Sequence, residues 1–172
     1  MCIALCMVLP MAFHAVPNGG TVFSPMHIPV LLCGLTCGWA FGLACGILGS
    51  LLSSLFTGMP PMAFLPSMMV ELAMYGLAAG LLMRFVRTKS LYADLYISLV
   101  SAMLAGRIVA GITRALIFAP GKISLAVWAG SYFVVSLPGI IIQLLIIPSI
   151  IFVLEKARLI PARYPERNGE SI

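Results

Sequence analysis

Two opposite charges stand where a charge is costly. Glu71 lies in the apolar stretch 62–85, and Arg107 lies in the apolar stretch 91–118. At bilayer depth a charge costs about 2.5 kcal/mol or more, so it requires a partner or a polar cavity. Glu71 is nine residues in from position 62, and Arg107 is eleven residues in from position 118. At 1.5 Å per helical residue, both fall about 14–17 Å below one surface. Adjacent antiparallel helices would bring them together, which predicts a Glu71–Arg107 ion pair or a shared polar network. Such a pair either fixes helix packing or turns one member towards a substrate, where Arg107 could hold a carboxylate or a polar ring edge.

Three further residues belong with these two as candidate substrate ligands. Tyr75 is one turn from Glu71 on the same helical face. Gln143 is six residues in from position 137, about 9 Å deep if a helix starts there. His27 stands between Pro25 and Pro29 at the outward end of a short helix. A helix start offers free N–H groups and a positive dipole end to an anion or polar ligand, with structural capping by His27 as the alternative. The stretch 16–25 is a loop by its Pro-Asn-Gly-Gly content. His14, Trp128 and Tyr132 are read as packing or interface-belt residues, with ligand contact or a lid as the alternative.

Other chemistry finds no support. The chain has no HExxH, GxSxG or P-loop pattern, and one Asp with four Glu cannot furnish the paired carboxylates of many membrane hydrolases. No catalytic residue, cofactor motif or metal site is indicated. Cys33 and Cys37 share a CxxxC spacing but lack a second ligand pair, so helix packing is the simpler role. The net charge of +5 comes from basic residues at span ends, not from a face interleaved with aromatics, which argues against nucleic acid.

The elements that must position these residues are membrane helices. The chain is 62% hydrophobic and 9% charged, against about 25% charged residues in soluble domains. Its 172 residues leave room for five or six spans with short loops. Stretch 24–61 has no Asp, Glu, Lys or Arg, and glycines recur at Gly34, Gly38, Gly42 and Gly46. That spacing puts bare backbone on one face, where another helix can approach closely. Residues 26–56 as one helix would measure about 46 Å, against a hydrocarbon core of about 30 Å. Two short helices turning near Gly38-Trp39 are therefore expected, the first of about 12 residues. Residues 1–16 form an apolar segment kinked by Pro10, without the basic start or cleavage site of a signal peptide. It begins abruptly at Met1, which predicts that part of the first span lies upstream.

The reading is an all-α membrane protein of six transmembrane helices, a compact bundle with a short or broken second helix. The membrane domain is 1–156, and 157–172 is a polar tail. Arg84, Arg87 and Lys89 fall in one loop and Lys156, Arg158, Arg163 and Arg167 in the tail, two spans away on the same side. The positive-inside rule makes that side cytoplasmic, C-terminus included. Lys122 and Arg114 stand on the outer side.

In order along the chain, SPMHIPVLLCGL, the GxxxGxxxG helices, LLSSLFTGMPP, MMVELAMYGLAAGLLMR, AMLAGRIVAGI and SLPGIIIQLLIIPSIIFVLEKA together resemble the substrate-binding S component of energy-coupling factor (ECF) vitamin transporters. The likeness covers about residues 3–156. It implies six membrane helices that bind one vitamin or related micronutrient from outside at high affinity. It implies assembly with a transmembrane T subunit and two ATPase subunits, with toppling of the S component carrying the ligand inward. It also implies a pocket in the outer halves and loops, pointing to Asn18, His27, Glu71, Tyr75, Arg107 and Gln143. The family's alanine-x-x-x-alanine motif in helix one is represented here by Ala4 alone. Either its first alanine precedes Met1, or Cys2, Ala4 and Cys6 make that contact. Ala4, Gly34, Gly38, Gly42 and Gly46 are the candidate residues for packing against a partner.

Three other readings remain. A solo small-molecule carrier or channel would show a polar path to both faces, whereas the inner halves here are almost wholly apolar. A structural scaffold would need no cavity. A small membrane enzyme would need one of the missing motifs.

Overall fold

The computed structural model describes residues 1–12, 25–58, 60–88, 90–113, 130 and 137–160. Asn18, His14, Arg114, Lys122, Trp128 and Tyr132 lie outside the described residues. Six helices carry the described chain: α1 (Cys2–Ala12), α2 (His27–Cys37), α3 (Trp39–Thr57), α4 (Leu65–Phe85), α5 (Leu91–Thr113) and α6 (Leu137–Lys156). Four of them, α3 to α6, are long and apolar enough to cross a membrane, while α1 and α2 are shorter.

Helix α4 is the hub. It packs on α2, α3 and α5, while α1 lies against α2 and α3, and α6 against α2 and α5. Leu72, Tyr75, Gly76, Ala79, Gly80 and Met83 are among its buried positions. They recur at the helical period, so one face of α4 meets the core. Large apolar side chains such as Phe41, Phe56, Ile108, Leu145 and Val153 stay exposed, as lipid-facing surface requires.

Gly38 makes the break expected between the first two helices. Its φ of 95° and ψ of 172° lie in a region essentially confined to glycine. Its N–H closes α2 on the Gly34 carbonyl at 3.1 Å, and its carbonyl accepts from Gly42 N–H at 3.0 Å to open α3. A Cβ at Gly38 would meet nothing within 4 Å. Gly38→Ala should therefore cost only backbone strain, about 1–3 kcal/mol, seen as a lower melting temperature without loss of the fold. One expectation is corrected: α3, at 19 residues, is a full-length helix rather than a short one. Only α2, with 11 residues, is short.

Three of the four spaced glycines, Gly34, Gly42 and Gly46, are covered within the chain. A Cβ on Gly34 or on Gly42 would come within 2.5 Å of the Gly76 carbonyl, and one on Gly46 within 2.5 Å of the Leu72 carbonyl. Thus α2, α3 and α4 touch backbone to backbone. Ala4, by contrast, is exposed on α1.

Where α4 hands over to α5, Asp94 is fully buried in the first turn of α5. Its carboxylate accepts from the Thr88 N–H at 2.7 Å and the Thr88 hydroxyl at 2.6 Å. A carboxylate there also complements the positive end of α5. The turn after α4 is thereby tied to the helix that follows it.

Candidate functional site

Three buried polar side chains, His27, Glu71 and Arg107, gather around one tyrosine. Tyr75 is fully buried at the centre of α4. Its hydroxyl donates to Glu71 Oε1 at 3.0 Å, one turn away. The same hydroxyl oxygen accepts from Arg107 Nε of α5 at 3.2 Å. His27, the first residue of α2, sets Nε2 at 3.6 Å from Glu71 Oε1. Its ring leans on the Tyr75 ring with centroids 4.9 Å apart. Three helices therefore converge on one polar cluster.

Of the two arrangements expected for the charges, a direct pair or a shared network, the chain adopts the network. Glu71 and Arg107 meet through Tyr75. The geometry follows from helix registers. Glu71 and Tyr75 are six and ten residues from the start of α4, and Arg107 is six residues from Thr113. That is about 9–15 Å along antiparallel helices, which brings the three groups to a common level. Gly106 completes the fit, since a Cβ there would collide with the Tyr75 ring.

His27 lies deeper than its place at the outward end of α2 suggests. It is level with Glu71 and Tyr75, so α2 starts partway down the bundle and fills only part of its height. Helices that stop short within a membrane protein are tolerated where their ends are buried in protein or line a cavity. Gln143 is fully buried on α6, the helix that packs on α2 and α5. Asn18 cannot be placed, because it is outside the described residues. Asp94 and its Thr88 partner are not among the residues that sequence reasoning singles out. The available signal is that Asp94 is the single aspartate of the chain, just inside a helix start.

The cysteines do not pair as CxxxC. Cys37 is exposed, whereas Cys33 is buried and faces Cys2 and Cys45. Cys6 and Cys45 bring their sulfurs to 4.0 Å. Among the described residues no group of three or more His, Cys, Asp or Glu is arranged to hold a metal ion. A cavity of about 470 Å³ opens elsewhere, between the α2–α3 elbow and the last turns of α4, with Gly38, Trp39, Gly80, Met83 and Arg84 on its wall.

A family model described as ECF transporter, substrate-specific component, matches residues 1–151. The chain belongs to that family. No curated protein and no solved structure matches it. Membership makes the chain a substrate-specific component of a transporter and places it in a membrane, consistent with the four long apolar helices. For an ECF substrate-specific component, a polar cluster sealed inside an apolar bundle is the first place to look for substrate contacts.

Proposed function

We propose that this chain is the high-affinity capture subunit of an ECF-type importer. It takes a vitamin or related micronutrient from outside and passes it inward together with a T subunit and two ATPase subunits. The observation that carries the reading is the His27–Glu71–Tyr75–Arg107 cluster at the start of a half-length helix. Half-helix starts of this kind serve as substrate sites in other transporters, because their dipoles and amides face a polar ligand. Asn18 and Gln143 are proposed as further contacts. Residues 1–156 form the membrane unit, and 157–172 a tail on the cytoplasmic side. Without a nucleotide-binding motif the chain draws its energy from partners.

A scaffold reading has one observation in its favour, the mutual satisfaction of Glu71, Tyr75 and Arg107. Mass spectrometry of small molecules released from gently purified protein separates the two readings. A single vitamin-like compound, present in the parent and absent from Arg107→Ala, is the expected result. Absence of any compound, together with no thermal shift across a vitamin panel, would leave the scaffold.

A further inference from the structure

The start of α2 combines two features that together read a ligand. The first is an uncapped helix end. Met26 precedes the helix in a helical conformation and no side chain caps it. In the first turn His27 and Ile28 carry N–H groups without a carbonyl partner inside the helix, and Pro29 carries none. The second is His27 itself. It is only 6% exposed, and its Nδ1 is buried without a hydrogen bond among the described residues. Unmet polar atoms of this kind are uncommon in native proteins and call for a cause.

The ring orientation says what Nδ1 can accept. Glu71 faces Nε2 at 3.6 Å, and Glu71 also takes the Tyr75 proton donor. A carboxylate opposite Nε2 favours the tautomer with hydrogen on that nitrogen, which leaves Nδ1 with a lone pair. Nδ1 is bonded to Cγ, so it is the ring nitrogen nearer the backbone of α2. Side chains on a helix also lean towards its N-terminus. An acceptor nitrogen therefore lies beside the donor amides of the first turn.

We propose that the substrate is anchored here by a neutral donor–acceptor edge: an N–H or O–H given to His27 Nδ1, and a neighbouring carbonyl taken by the α2 amides. The N–H/C=O edge of a flavin or pterin ring has this chemistry. A carboxylate does not, since its oxygens would face the Nδ1 lone pair. The charges reinforce the choice, because Glu71 and Arg107 are tied to each other through Tyr75. The inference rests on the capture-subunit reading and narrows its substrate class.

The test uses the full chain purified in detergent, with riboflavin and 6-hydroxymethylpterin as probes. Each is compared with its N3-methyl analogue, and pantothenate serves as the carboxylate-bearing comparison. At least one ring compound should bind, and N3-methylation should weaken it about tenfold or more, because a site built for a donor rejects a ligand that lacks it. His27→Phe should cause a similar loss. His27→Asn, whose amide oxygen can stand in for Nδ1, should retain affinity to within a few fold. The inference is overturned if methylated and parent rings bind equally. It is also overturned if pantothenate alone binds and keeps its affinity in His27→Phe. A compound that co-purifies but carries no donor beside an acceptor has the same consequence. If nothing co-purifies and no member of a vitamin panel gives a thermal shift, the capture-subunit reading itself fails.

Discussion

Arg107→Met should destabilise the protein by about 3–5 kcal/mol, because removing one member of a buried charge pair strands the other. Glu71 would keep its Tyr75 and His27 neighbours but lose the cation that balances it through the tyrosine hydroxyl. Glu71→Gln should also destabilise the protein, by removing the carboxylate that balances Arg107 through Tyr75. The double variant Glu71→Gln/Arg107→Met should recover most of the stability, since a neutral cluster carries neither penalty. A thiol-reactive dye offers a direct readout in detergent. Cys6, Cys33 and Cys45 are buried and free, so they react as the bundle opens. A double variant as unstable as either single one would mean the two charges are not coupled. A stable double variant that releases no compound would separate the ligand role from the packing role.

Gly76→Ala should be about as damaging, although it changes no charge. The added methyl would be driven into the backbone of Gly42. Overpacking usually costs about 1–3 kcal/mol when side chains can shift. Here the obstacle is main chain, so the upper end of that range or more is expected. The measurement is the melting temperature beside that of Gly38→Ala, whose new methyl meets open space. Equal losses in the two variants would contradict the close α3–α4 contact.

Much of this arrangement is legible in the sequence because membrane helices obey strict lengths. Residues 26–56 are too long for one span, and Gly38 is where the chain turns. Counting residues from span ends puts Glu71 and Arg107 at one depth. Two features are less legible. Helical spacing sets Tyr75 on the face of Glu71, but its hydroxyl as a bridge between the charges depends on how closely α4 and α5 approach. Gly106 sets that approach, and its effect is tertiary. The depth of His27 follows from α2 packing its Gly34 on Gly76 of α4. Helix length alone does not fix that register. The partner of Asp94 is hidden for a different reason: a capping contact across a turn depends on loop geometry, which periodicity does not encode.

The glycine seam also bears on which parts of the bundle can shift independently. Where a carbonyl rests against another backbone, no side chain can rotate aside to make room. Sliding α2, α3 or α4 past one another would drive main chain into main chain. The three helices thus form the fixed wall of the bundle, and His27 and Glu71 are mounted on it.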